Sequence, residues 1–296
     1  MSVLEDGRRY RVLESLPTFC TLGVRFWDAA TDTQVRSGLQ VRLWPEASLA
    51  PVVAAERTYS DIYAFHRVPG LRAVERPAAG RDAPSGSPGG RPFVLEVQDS
   101  QRRYVGSAIG LSLPLSHRGP LLTGFVGSPA PAAPGYYLFS ASTRGQAPNM
   151  AVVRGELVDD LTGAGAAHAL VVVEIPGEPP VYAVADADGA FAAHFPYPTL
   201  PGGFRPLDGS PPGPPIDERA WQLRVSVLYQ PALLDPLPGS TFPDLRAVFS
   251  QAPAAVLPDT DSPALPAAHW AGTLDLGGEV VVRGGEATGL RVIPAA

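Results

Sequence analysis

Few residues in this chain have the type and spacing to do chemistry. His66 and His194 stand at matching places in two similar stretches. Two imidazoles converging with a carboxylate would make a metal site, but matching positions in two separate units normally lie a domain apart. Each His is therefore expected to serve structure or to face solvent. Asp28 and Asp159 could be read as paired acids, yet each falls in its own turn. Asp186-Ala187-Asp188-Gly189 has part of a calcium loop, but the first position of that motif would fall on Val184 and its last, where Glu is needed, on Phe195. A hairpin turn is the expected reading. Cys20 is the only cysteine, so no intramolecular disulfide can form, and in the strand-like run TFCTLGVRF a buried, inert thiol is expected. Trp27, Trp44, Trp221 and Trp270 could line a carbohydrate platform, although Trp221 falls on the presumed core face of its strand.

Composition removes whole classes of activity. The chain has no Lys, so a Walker A phosphate loop and Schiff-base or pyridoxal-phosphate chemistry are excluded. There is no G-x-S-x-G, no H-E-x-x-H and no His-x-x-Glu. The expectation is a non-enzyme with no catalytic, cofactor-binding or metal-binding residues. The net charge of −6 lacks the basic stripe of a nucleic-acid binder; Arg8, Arg9, Arg11 and the Arg102-Arg103 pair are the close basic clusters, expected to be solvated. No stretch approaches a membrane span, and the charged N-terminus has no apolar signal-peptide core, so no membrane insertion and a cytoplasmic location are expected.

The elements that must position these residues are short strands. Val153 to Val158 is extended, and Asp159, Asp160, Thr162 and Gly163 close it with side chains and a φ that favour a turn. Ala169 to Val173 follows, then the Pro176-Gly177 break, Val181 to Ala185, the Asp188-Gly189 turn, and the alternation of Phe191, Ala193 and Phe195. This order resembles the carboxypeptidase regulatory-like domain, a small transthyretin-like β-sandwich, over roughly residues 150 to 230. The residues that carry the likeness are Asp159, Thr162, Gly163, Asp186, Asp188, Gly189 and Phe191. The resemblance implies a sandwich and brings no peptidase activity with it.

The unit occurs twice. About 131 positions upstream Asp28 matches Asp159, Thr31 matches Thr162, Leu39 matches Leu170 and Val41 matches Val172. At an offset of about 128, Tyr63 matches Phe191, His66 His194, Phe93 Trp221, Leu95 Leu223 and Val97 Val225. The expected fold is all-β: two tandem antiparallel β-sandwiches with long Pro/Gly-rich loops and one short helix. Residues 1–16 read as an N-terminal arm or short helix, 17–146 as the first sandwich, and 147–296 as the second with added C-terminal strands. Pro77–Pro92 and Pro196–Pro215 are loops at the same point of each copy, and Pro114–Pro134 is a wandering connection. Thr18–Trp27 reads as the first strand, Tyr136–Ser140 as an added one, and Asp244–Gln251 as the helix, with Leu245 and Val248 on one face.

Longer phrases carry a second resemblance. IYAFHRVPGLRAVE, GYYLFSASTR and FPDLRAVFSQAP are similar to phrases in bacterial proteins encoded with phage-tail-like contractile injection systems. That likeness implies a structural or accessory subunit whose partners are protein subunits of a larger assembly, including copies of itself. The alternative is a carbohydrate- or surface-binding sandwich module.

Overall fold

The computed structural model describes residues 2–5, 8–11, 20–47, 51–75, 90–113, 135–198, 220–258, 265–285 and 287–295. Most of the two Pro/Gly-rich loops, and the whole 114–134 connection, lie outside these residues. At the N-terminus β1 (Ser2–Glu5) and β2 (Arg8–Arg11) pair antiparallel with Glu5 opposite Arg8. These residues are strands, not the short helix that was one of the two expectations for the lead-in.

The first half continues with β3 (Leu22–Val24), β4 (Phe26–Asp28), β5 (Thr33–Gln34), β6 (Leu39–Pro45), β7 (Val53–Ala54), β8 (Glu56–Arg57) and β9 (Tyr63–Phe65). A single helical turn, α1 (Arg72–Glu75), precedes β10 (Arg91–Asp99), β11 (Ser107–Leu113) and β12 (Tyr136–Leu138). The second half holds β13 (Met150–Asp159), β14 (Leu170–Glu174), β15 (Val181–Val184), β16 (Ala190–Pro196) and β17 (Ala220–Leu228). It ends with α2 (Leu245–Phe249), β18 (Ala255–Leu257), β19 (Trp270–Asp275), β20 (Glu279–Val282) and β21 (Leu290–Ile293). The fold is all-β, as expected.

In the first half the sheet orders are β11-β10-β6-β7, β3-β9-β8 and β12-β4-β5; in the second they are β16-β13-β21-β18, with β20 also on β13, and β15-β14-β17-β19. The expected single strand Thr18–Trp27 is broken at Arg25 into β3 and β4, which serve different sheets, whereas β13 performs both tasks unbroken. The sheets are also not purely antiparallel. β12 runs parallel to β4, and β20 and β21 run parallel to β13. Parallel neighbours need a long crossover, which the many residues between these strands supply.

The repeat holds in hydrogen-bond detail. Val24 faces Tyr63 as Gly155 faces Phe191, and Phe26 faces Tyr136 as Leu157 faces Leu290. Asp32 N–H donates to the Asp28 carbonyl at 2.9 Å, and Gly163 N–H to that of Asp159 at 2.8 Å. Asp61 (φ 56) and Gly189 (φ 83) occupy the same left-handed turn position. One part of the alignment needs correction. Val41 and Leu43 are buried on one face of β6, opposite Val97 and Leu95, and their counterparts are Val171 and Val173, opposite Val227 and Val225. Val41 therefore corresponds to Val171 and Val97 to Val227. The run of three valines had concealed which parity faces inward, and a one-residue slip exchanges the faces.

Among the described residues two large apolar clusters, with a small third around Trp44, Val94 and Ala108, form the core. One is built around Phe26, Leu43, Phe65, Phe93 and Tyr136; the other around Leu157, Phe191, Val225 and Leu274. The first also takes in Leu170, Val184, Leu245 and Val248 from the second half, so the two halves share packing.

Candidate functional site

A group of buried and half-buried polar side chains lies where the halves meet. Asp28 ends β4 and turns the chain: its Oδ1 accepts the Ala30 N–H at 2.9 Å and its Oδ2 accepts the Tyr104 hydroxyl at 3.1 Å. Arg144 grips both carboxylate oxygens, donating to Oδ1 at 3.0 Å and Oδ2 at 2.7 Å, and gives a further bond to Ser140 Oγ at 2.9 Å. The Tyr104 ring is flanked by the Arg103 and Arg144 guanidinium groups, each 5.2 Å from its centroid. Arg103 is held in turn by Asp99 at 2.9 Å. Two residues before Arg144, Ser142 Oγ donates to Asp186 Oδ2 at 3.0 Å, which ties the linker to the β15–β16 hairpin of the second half.

The electrostatics follow from burial and these partners. Burial alone would raise the Asp28 pKa, but the Arg144 bonds and charge, the Ala30 N–H and the Tyr104 hydroxyl outweigh it and hold the carboxyl below its ordinary range. Burial and the Asp28 charge push the Tyr104 hydroxyl up to about 12. His194 is only 3% exposed and its Nε2 has no partner among the described residues. Burial, then the charges of Arg144 and Arg154, push its pKa down to about 4 against the opposing pull of Asp28, so the ring is neutral near pH 7. A bidentate arginine on a buried carboxylate blocks both oxygens of the acid, so this cluster is suited to joining segments.

The second copy repeats half of the arrangement. Asp159 Oδ1 accepts from Leu161 N–H at 2.8 Å and Thr162 N–H at 3.2 Å, and its Oδ2 accepts the Tyr229 hydroxyl at 3.2 Å. Tyr104 and Tyr229 are thus equivalent. Arg144 is specific to the first copy and its junction.

The structure places the other residues as follows. Asp28 and Asp159 sit in separate turns, as expected. Asp186 Oδ1 accepts the Asp188 and Ala190 N–H groups at 3.1 and 2.9 Å, which makes the hairpin turn expected there. His66 is half-buried, whereas His194 is buried against the junction and does not face solvent. Among the described residues no group of three or more His, Cys, Asp or Glu side chains could hold a metal ion. Cys20 is exposed, which corrects the expected buried thiol: β3 begins only at Leu22, whose carbonyl the thiol meets at 2.9 Å, so strand alternation does not reach it. Trp44 is buried, and Trp27, Trp221 and Trp270 are half-buried, so none of the four is a fully exposed stacking surface.

The cleft between the halves, lined by Val105, Gly106, Phe139, His168, Val184 and Phe242 among others, encloses about 10 Å³, enough for roughly one water. Two of the three quoted phrases meet beside it: the Phe139 and Phe249 rings lie 5.5 Å apart. Sequence reasoning missed Arg144, Ser142 and Tyr104. The shared tyrosine after each long strand was a usable signal; for Arg144 and Ser142 there was none, because their partners lie far away in sequence.

No protein-family model matches the chain, and no curated protein matches it. Among solved structures, the Bacillus anthracis TIE protein is 9% identical over 92% of this chain, with a TM-score of 0.24; the chain spans only 34% of that protein's length. GBS52, the minor pilin of Streptococcus agalactiae, is 9% identical over 93% of this chain and 98% of its own, with a TM-score of 0.20. The shaft pilin spaA of Lactobacillus rhamnosus GG is 9% identical over 95% of this chain and 99% of its own, with a TM-score of 0.24. Likeness this low carries no functional argument, and the fold assignment rests on the strand pairing above. Among the described residues no helix is long and apolar enough to cross a membrane.

Proposed function

We propose that this protein is a non-enzymatic structural subunit that works through protein–protein contacts, in the accessory machinery of a phage-tail-like contractile injection particle. The observation that carries the non-enzymatic reading is how the buried acids are used. Asp28 is taken by Arg144, and Asp159 by its turn and Tyr229. Glu75 accepts from Thr21 Oγ and Val68 N–H, and Glu96 from Arg42, Gln98 and Ser240. Each joins segments distant in sequence, as a rigid scaffold requires. The particle assignment rests on the quoted phrases, and the sandwich likeness to the carboxypeptidase regulatory-like domain belongs to the same proposal. So do a cytoplasmic location and a division into units at residues 146/147.

The test is to tag the full-length protein at its N-terminus, isolate it from its native host and identify what accompanies it. Co-isolation with sheath and tube proteins supports the proposal. A robust hydrolytic activity abolished by one substitution that leaves assembly intact would overturn it.

A further inference from the structure

The outer face of a sandwich sheet commonly meets solvent, yet part of one is buried here. In the sheet built on β13, with β16 and β20 as its neighbours, Ala151, Val153, Ala193, Phe195 and Val280 point into the core of the second half. Successive residues of a strand point to opposite faces, so Met150, Val152, Ala192 and His194 lie on the other face. All four are nevertheless buried. The linker between the halves runs beside them. Gln146 Nε2 donates to the Met150 carbonyl at 3.0 Å, Ser142 Oγ is held by Asp186, and Arg144 comes close enough for its charge to act on His194.

His194 is the polar member of these four, and the register fixes its charged neighbours. It stands opposite Val152, which has Glu279 on its other side, and Arg154 lies two residues along β13 on the same face. Arg144 and Asp28 of the junction act on it as well. Each of these charges is already committed. Arg154 is ion-paired with Glu279. Asp28 takes two bonds from Arg144, one from the Ala30 N–H and one from the Tyr104 hydroxyl, which uses the four lone-pair directions of a carboxylate. His194 Nε2 has no acceptor among the described residues. A proton placed there would add a third cation beside two guanidinium groups, with nothing to bond it.

We propose that residues 141–149 and this sheet face form an acid-operated joint: protonation of His194 releases the linker from the face, breaking the Ser142–Asp186 and Gln146–Met150 bonds, while both cores and the packing they share stay in place. Lifting the linker admits water, which supplies the acceptor that the closed joint lacks. The direction follows from linkage. In the closed joint the ring resists protonation to about 4, against an ordinary 6.5 once in water, so opening is least favoured above 6.5 and gains as pH falls toward 4. Between about pH 7.5 and pH 5 the open fraction should rise roughly tenfold or more.

The experiment follows amide hydrogen exchange of the full-length protein at those two pH values, corrected for the intrinsic pH dependence of exchange. The Arg144 and Met150 amides, bonded to the Ala141 and Ala147 carbonyls, should exchange about tenfold or more faster at the lower pH. The Val35 and Leu157 amides, bonded to the Phe26 and Gly189 carbonyls within each half, should not change. His194→Phe keeps a ring that cannot titrate and should abolish the acid response with Asp28, His66 and His168 still in place. Should that variant fail to fold, His194→Gln serves the same end. In the parent, the His194 ring resonances should titrate well below the ordinary 6.5. No acid response at Arg144 and Met150, an equal response at Val35 and Leu157, a response that survives replacement of His194, or a ring that titrates at its ordinary value would each overturn the proposal.

Discussion

Replacing Arg144 by Ala would remove the residue that closes the junction. It deletes two hydrogen bonds to Asp28, at 3.0 and 2.7 Å, and one to Ser140. The carboxylate left behind has a side chain only 7% exposed, with the Ala30 N–H and the Tyr104 hydroxyl as its remaining donors. Removing one member of a buried ion pair costs roughly 3–5 kcal/mol, chiefly because the other charge is stranded. The Arg144 side chain is itself 18% exposed, so water can enter part of the vacated space, and about 3 kcal/mol is expected. In a double-mutant cycle with Asp28→Asn, the two costs should fall short of additivity by about 1–2 kcal/mol. Because the folded Asp28 carboxyl titrates below its ordinary value of 3.8, the unfolded chain takes up its proton first as pH falls. The contribution of the pair is therefore fully present above that value and is lost as pH drops through the lowered folded one. Urea denaturation followed by tryptophan fluorescence, with the slope checked for constancy, measures all three quantities. A cost below about 1 kcal/mol at neutral pH, or strict additivity, would refute a buried structural pair.

Phe191→Ala and Tyr63→Ala remove equivalent, buried core rings and should each cost roughly 3 kcal/mol or more by chemical denaturation. For His194, the unfolded chain protonates near 6.5 while the folded ring resists to about 4, so stability should decline as pH falls through that window. His194→Ala should flatten the decline. Exposed Cys20 should react stoichiometrically with a small disulfide reagent in the native state; labelling only after unfolding would contradict its placement.

The sequence by itself determined the turns and the repeat. Asp159 with Thr162, Asp186 with Gly189, and their counterparts in the first copy act through bonds to backbone a few residues away, so residue type and short spacing are enough to specify them. Asp244 as the cap of a short helix was legible for the same reason. Alternation likewise marked Phe191, Ala193 and Phe195 as one face of a strand, and all three are buried.

Tertiary structure decided whatever depends on neighbours distant in the chain. The inward parity of the Val171–Val173 run was set by pairing with β17, since three consecutive valines have no polar member to mark the solvent face. The parallel docking of β12, β20 and β21 required crossovers whose paths no local pattern encodes. His66 and His194 share one repeat position, yet only His194 is buried, because the junction with Asp28 and Arg144 forms beside it. Arg144 stayed invisible for the same physical reason: an ion pair is a property of two surfaces meeting, and its own segment alone reads as an ordinary loop.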